Sequence, residues 1–424
     1  VTGLARLAVA SAWNRRATLS LVVLSIALST LLLLGFERLR GQVRTSFAQS
    51  VSGTDLIVGA RTGSVQLMLY AVFHIGGATN NIRMASVDAI AQQRAVDWVV
   101  PVSLGDSHRG YAVLGTTPEY FRRFLYGDRR PLVVAEGRTF AGSLDGLYEA
   151  VLGAEVAEAL GYRLGQRIVL SHGMGAIPGA EHADKPFTVV GILARTGTPV
   201  DRTVHISLQA IEAIHLDWAG GAPLPGVTIA PEQARKFDLN PKQVTAAFVG
   251  LKSRVAVFAV QRSIANAEGE PLMAVLPGVA LDELWEVVGV GEKALLGMSA
   301  MVAVVSLAGL VAVVLAGLNE RRRELAVLRA VGAGPRHVLL LLTGEGALIT
   351  LLGVALGIVL AALAIGLAGP WLQSRSGIML TWAAPNLSEW TLLGAIVAAG
   401  LLAGLVPGLR AYRLSLADGL SPRT

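Results

Sequence analysis

Four stretches of this chain stay apolar for about as long as a bilayer is thick, and no other feature limits the fold as strongly. A hydrocarbon core takes roughly 20 helical residues to cross. Residues 17–36 (ATLSLVVLSIALSTLLLLGF) lie uncharged between Arg16 and Glu37, residues 294–318 and 391–409 carry no charge, and residues 338–367 carry only Glu345. In lipid the backbone must satisfy its own hydrogen bonds, so runs of this length and composition form helices. The remainder agrees: 16% of residues are charged, against about 25% in an ordinary soluble domain. The 48 glycines suit helices that pack closely in a membrane. Residues 17–36 exceed a signal-peptide core and no small-residue cleavage site follows, so they are read as a retained span.

Orientation follows from the short flanks, because arginine and lysine stay on the cytoplasmic side. Arg6, Arg15 and Arg16 precede the first span. Arg321, Arg322, Arg323, Arg329 and Arg336 lie between the second and third, and Arg410, Arg413 and Arg423 follow the fourth. The loop 368–390 holds one Arg and one Glu. Both termini and the arginine hairpin are therefore expected in the cytoplasm of a bacterial inner membrane, with residues 37–293 outside. The net charge of +6 is mostly this topology signal, and nucleic acid is not an expected partner.

The expected fold is thus a membrane protein with four transmembrane α-helices and a large α+β extracytoplasmic domain between the first and second spans. Its segments are an interfacial helix at 1–16, spans at 17–36, 294–318, 338–367 and 391–409, the domain with its stalks at 37–293, a cytoplasmic hairpin at 319–337, an outer loop at 368–390 and a tail at 410–424. Leu4, Leu7, Ala8 and Ala12 recur at helical spacing, with Trp13 near headgroup depth, which suits contact with membrane lipid. Within 37–293, residues 55–60, 98–104, 111–117, 167–171, 187–193 and 245–251 read as strands. Helical patterns cover 87–95, 154–160, 208–215 and 253–266. Phe36, Leu39, Val43, Phe47 and Val51 extend the first span as an amphipathic stalk, and Leu281, Leu284 and Val288 lead into the second until Gly289 and Gly291 weaken the helix. Such stalks either transmit movement or simply connect.

The arginine hairpin needs its own explanation. On a helix, Leu325, Leu328 and Val331 form one stripe while Arg322 and Arg329 share another face. Gly332 and Gly334 end that helix, and Pro335 suits the first turn of the next. Positive-inside placement explains Arg321 to Arg323 but not Glu320 and Glu324, which anionic headgroups repel.

The stretch ERRRELAVLRAVGAGPRHVLLLLTGEGALITLLGVALGI resembles the signature of the FtsX-like permease family, of MacB/LolC type. The family positions are held here by Glu320, Arg321, Glu324, Leu328, Arg329, Ala330, Val331, Gly332 and Ala333, then Glu345, Gly353 and Gly357. Within 37–293, DLIVGA, GTTPEYF and AVLGAEVAEALGYRLGQRI are similar to the periplasmic core domain of MacB-type permeases. In the tail, Ser415 and Leu416 stand where the family usually has Asp-Pro. The resemblance implies a homodimer or paired permease driven by a cytoplasmic ABC ATPase subunit, which would bind ATP and Mg²⁺. It also implies that the hairpin is the coupling helix, with Leu325, Leu328 and Val331 seated on the ATPase and Glu324 and Arg329 at the rim. A periplasmic adaptor or substrate protein is a further implied partner. Export or release of a substrate is the leading expectation; the alternatives are FtsX-type signalling to an extracytoplasmic partner, or a component of a zinc-responsive system.

No enzyme is expected in this chain. There is no G-x-x-x-x-G-K-[ST] to cradle phosphates, no G-x-S-x-G and no H-E-x-x-H. Inside the membrane, Glu345 is read either as a gating or dimer contact or as a protonated group hydrogen-bonded between helices, and the resemblance favours the latter. Gly353 and Gly357, and Gly400 with Gly404, make two GxxxG pairs for close helix packing. Six of the seven histidines lie within 37–293. His172 and His182 share a loop with Glu181 and Asp184, an N/O set able to hold Zn²⁺, but their ten-residue gap matches no tight metal motif. No metal or other cofactor is assigned to the chain on sequence grounds.

Overall fold

A computed structural model of the chain describes residues 16–77, 80–173, 181–219, 222–320, 332–376, 382 and 384–413. Residues 1–15 of the expected interfacial helix and the end of the tail fall outside them. The chain divides into a helical unit (1–42, 289–371 and 380–424) and a mixed α/β unit (43–288 and 372–379).

Four long helices build the first unit: Arg16–Gln49, Pro277–Glu320, Pro335–Ser376 and Leu387–Arg413. Each contains a segment long and apolar enough to cross a membrane. The second runs unbroken through Gly289 and Gly291, contrary to the expected weakening. A helical glycine costs only about 1 kcal/mol relative to alanine, less than the apolar turns on either side contribute.

Glycines mark where these helices meet most closely. A Cβ on Gly353 would lie 2.7 Å from the Ile26 Cβ, and one on Gly357 would lie 2.5 Å from the Thr30 Cβ and 2.7 Å from the Ala27 carbonyl oxygen. The third helix therefore lies against the first along this GxxxG. Gly400 abuts Thr350 and Gly404 abuts Thr343, bringing the fourth helix onto the third, where Gly346 faces Gly404. Hydroxyls join the first and second helices: Ser25 and Ser29 both meet the Ser306 hydroxyl, at 2.9 and 2.7 Å. Glu345 is half-buried on the third helix. At the start of the fourth, Asn386 and Glu389 exchange hydrogen bonds as a capping box. The same Glu389 carboxylate takes the Arg38 guanidinium at 2.8 Å, with both side chains buried.

The α/β unit is organised by one sheet. Its strands run in the order Leu272–Val275, Leu56–Ala60, Ala246–Leu251, Val96–His108, Tyr111–Thr116, Thr203–Ser207, Glu149–Leu152, Phe187–Leu193, Val134–Gly137. Ladders are antiparallel except where Thr203–Ser207 joins Tyr111–Thr116 and where Phe187–Leu193 joins Glu149–Leu152. Phe187–Leu193 alternates buried and half-buried residues at every step, the period of a strand with one face on the core. By contrast, Leu56–Val58 and all of Thr203–Ser207 are buried, as central strands covered on both faces must be.

Strand Val96–His108 carries the sheet across its middle. One half pairs with Ala246–Leu251 from Val96 to Val102, and the other with Tyr111–Thr116 from Ser103 onward. The register with Tyr111–Thr116 slips between Leu104 and Ser107, a bulge in which Gly105 takes a positive φ of 155°.

His205 sits on the buried central strand against the Tyr120 and Phe121 rings, donating through Nδ1 to the Val151 carbonyl at 3.2 Å. Burial holds its pKa down to about 3, and burial of His74, beside the Thr203 hydroxyl, holds that one at about 4.

Two outcomes are expected. Gly357→Leu should cost about 1–3 kcal/mol by overpacking, whereas Gly366→Leu on the same helix, where a side chain meets nothing within 4 Å, should leave the melting temperature in detergent nearly unchanged. Second, with folded pKa values below the ordinary 6.5, the unfolded chain binds more protons as pH falls. Stability is then full above pH 6.5 and declines toward pH 3, by up to ~1.4 kcal/mol per pH unit for each histidine. Chemical denaturation across that range should show a shallower decline for His205→Phe than for the parent.

Candidate functional sites

The hairpin residues expected to touch an ATPase fall mostly outside the described residues: Arg321, Glu324, Leu325, Leu328, Arg329 and Val331. Glu320 is the last residue of its helix. Gly332 takes φ 103°, a backbone region that glycine alone enters freely, and the third helix starts at Pro335.

The densest chemistry lies in the α/β unit. Past the bulge, Asp106 leaves the ladder with Tyr111–Thr116 and pairs across the other edge with His172 of strand Ser171–His172. Directly paired residues put their side chains on one face, and His172 Nδ1 lies 3.1 Å from the Asp106 carboxylate. Helix Leu208–Ile214 ends at His215, whose Nδ1–H donates to the Ile211 carbonyl at 2.8 Å. Its Nε2 faces the cluster, 3.0 Å from His172 Nδ1 and 3.5 Å from the Asp106 carboxylate. His182 returns to the group through its backbone N–H, which donates to the Leu170 carbonyl at 2.8 Å. One nitrogen or oxygen from each of Asp106, His172, His182 and His215 lies within 4.8 Å of all the others.

His182 is the anomaly. Its side chain is fully buried, its ring lies 4.4 Å from the Trp218 ring, and neither nitrogen has a hydrogen-bond partner among the described residues. A buried polar group left unpaired costs about 1–3 kcal/mol. His108, equally buried, has both nitrogens satisfied, by the Val169 carbonyl at 2.7 Å and the Tyr162 hydroxyl at 3.0 Å.

Electrostatics hold the group in a charge-poised state. Burial raises the Asp106 pKa, but hydrogen bonds from His172 and His215 outweigh it and bring the value to about 2. Burial and then the His215 charge push His182 down to about 4, so it is neutral at physiological pH. Burial lowers His215, but the hydrogen bond and charge of Asp106 more than reverse this, and its pKa is raised.

A buried ion pair braces the cluster. The Lys185 ammonium, with no exposure, meets both Asp217 carboxylate oxygens at 2.9 and 2.8 Å and Asp184 at 2.6 Å. Asp217 also accepts from the Ile229 N–H. The segment bearing His182 is thereby tied to the segment bearing His215 and Trp218.

His172 and His182 were legible candidates, but their partners were not those nearest in sequence. Asp184 is engaged by Lys185, and Glu181 bridges to Ser171 through its backbone. The carboxylate comes instead from Asp106 and the third imidazole from His215. The one signal for Asp106 is an acid two residues before a histidine at the end of an apolar strand, in WVVPVSLGDSH.

Comparison with known proteins adds context to this geometry. Residues 17–267 match the model of the MacB-like periplasmic core domain, and residues 296–416 match that of the FtsX-like permease C-terminal region. The lipoprotein-releasing system transmembrane protein LolC of Neisseria meningitidis serogroup B is 22% identical over 258 residues, 60% of this chain and 56% of that protein. The chain thus spans about half the length of that relative. The periplasmic region of MacB from Actinobacillus actinomycetemcomitans aligns at a TM-score of 0.35 and 11% identity, over 55% of this chain and 94% of that one. The extracellular domain of the noncanonic ABC-type transporter YknZ from Gram-positive bacteria aligns at 0.31 and 14%, over 52% and 99%.

Removing the brace tests its importance. Lys185→Met strands two carboxylates and should destabilise the α/β unit by about 3–5 kcal/mol, while Lys185→Met with Asp217→Leu should recover most of that. Tryptophan fluorescence during denaturation reads both.

Proposed function

The chain belongs to the FtsX-like permeases that carry a MacB-like periplasmic core domain, and on that premise we propose that it is the membrane subunit of a MacB/LolC-type ABC transporter, driven by a separate cytoplasmic ATPase. The observation that carries this reading is the order of parts. One long apolar helix precedes the α/β unit, three follow it, and the two family matches cover that whole succession. ATP and Mg²⁺ belong to the ATPase. The arginine hairpin is the lever: Leu325, Leu328 and Val331 seat on the ATPase, while Glu320, Arg321, Glu324 and Arg329 make polar contacts around them. An apolar stripe flanked by both signs of charge fits a protein groove better than an anionic lipid surface.

Nucleotide-driven movement of the hairpin shifts the helices and changes the arrangement of the periplasmic domain, so the substrate is released or exported on the outer side. Work of this kind needs no polar pore through the lipid. It accords with helices whose closest contacts are glycine seams and serine hydroxyls. The chain works as a homodimer or a paired permease, with a periplasmic adaptor or substrate protein at the outer face.

Two measurements test the reading. Leu328→Asp should abolish stimulation of the copurifying ATPase without altering membrane insertion, and unchanged stimulation removes the lever. The chain contains no cysteine, so single cysteines report topology cleanly. In spheroplasts a membrane-impermeant maleimide should label Val255→Cys, at a site 92% exposed, and should label Arg329→Cys only after permeabilisation. The reverse pattern overturns the orientation.

A further inference from the structure

We propose that Asp106, His172, His182 and His215 form a binding site for a divalent transition-metal ion, and that its ion is Zn²⁺. The site is independent of the transport reading, since it lies wholly within the α/β unit.

Spacing is the first support. Tetrahedral Zn²⁺ with bonds near 2.0–2.1 Å separates its ligand atoms by about 3.3 Å. The three separations among His172 Nδ1, His215 Nε2 and the Asp106 carboxylate are 3.0, 3.1 and 3.5 Å, which bracket that edge. No helical or hairpin repeat sets these distances, because the groups come from separate segments of the chain.

Proton bookkeeping is the second. With Nδ1 committed to the Ile211 carbonyl, His215 turns its Nε2 toward His172 and Asp106. The Nδ1 proton of His172 can satisfy either that nitrogen or the Asp106 carboxylate at full strength, but not both. His182 contributes a fully buried imidazole with no partner among the described residues. Three imidazole nitrogens and one carboxylate within 4.8 Å of one another make a poor hydrogen-bond network and a complete tetrahedral ligand set once the facing nitrogens are deprotonated.

The surroundings are those a metal site needs. The Ile211 carbonyl fixes the His215 tautomer, the outer-shell contact that orients metal-bound imidazoles. Trp218 covers His182, and the Lys185–Asp217 pair holds the two ligand segments together. An ion has a way in, because the His172 and His215 side chains are 35% and 26% exposed. With four protein ligands the coordination is closed, as in structural and regulatory sites rather than catalytic ones. Three imidazoles select a borderline ion over Mg²⁺ or Ca²⁺, which demand oxygen. Occupancy joins strand Val96–His108, strand Ser171–His172, the His182 segment and the end of helix Leu208–Ile214 into one body.

The test uses the full chain, purified in detergent and stripped with a chelator. Titration with Zn²⁺ against a chromophoric competitor should show one ion per chain, undisturbed by millimolar Mg²⁺ or Ca²⁺. Co²⁺ should give the intense visible bands of a tetrahedral site. Zn²⁺ should raise the melting temperature of the parent but not of His172→Ala, a substitution at a part-exposed position. Asp106→Asn should weaken binding at least tenfold. The proposal is overturned if the parent takes up no more Zn²⁺ than the His172→Ala/His215→Ala variant, or if Co²⁺ gives only weak octahedral bands.

Discussion

Strand Val96–His108 is the one element that both halves of the sheet must share. Its first half pairs with Ala246–Leu251 and its second with Tyr111–Thr116, so the α/β unit coheres through thirteen consecutive residues of backbone. A strand that long does not stay flat, because right-handed twist accumulates. The bulge between Leu104 and Ser107 adds to that twist and displaces the strand from one ladder, and this has a chemical consequence. Displaced from one ladder, Asp106 meets His172 across the other edge, and the carboxylate that organises the histidine cluster is set by a backbone irregularity rather than by local sequence.

Within the helical unit a different rule governs. Lipid provides no hydrophobic drive between helices, so close approach and internal hydrogen bonds must hold them. Gly353 and Gly357 against the first helix, and Gly400 and Gly404 against the third, supply the approach. Ser25, Ser29 and Ser306 supply the bonds. The Arg38–Glu389 pair adds a charged contact whose acid is already positioned by the Asn386 capping box, which lowers the entropy cost of forming it.

Much of this architecture was legible in the residues. Spans announce themselves by length, and strands such as Phe187–Leu193 by alternation. Glu149–Leu152 and Thr203–Ser207 escaped notice for a physical reason. Both are central strands buried on two faces, so alternation is absent, and Thr203–Ser207 contains a histidine whose burial depends on the Tyr120 and Phe121 rings and the Val151 carbonyl. Leu272–Val275 went unread because it is short and runs almost directly into the second long helix. The glycine pairs were visible as pairs, whereas their partners Ile26, Thr30 and Thr350 required the packing.

The two candidate functional regions differ in legibility because the partners proposed for them differ. A protein groove reads a surface, so a segment that fits one must present side chains at helical spacing. In sequence, Leu325, Leu328 and Val331 recur at that spacing within seven residues. A metal ion reads only distances and donor atoms, and any fold that brings those atoms within about 3.3 Å of one another satisfies it. Asp106, His172, His182 and His215 are spread over more than a hundred residues, with no repeat among them. His172 and His182 stood out only by sharing a loop, and that proximity suggested Glu181 and Asp184 as companions. The Lys185 ammonium removes Asp184 from contention, since a carboxylate held at 2.6 Å by a buried cation gives up its best lone pairs to that bond. The bulge and the helix end then bring in the groups that fill the two remaining corners of the tetrahedron. Sequence order had no means of expressing this.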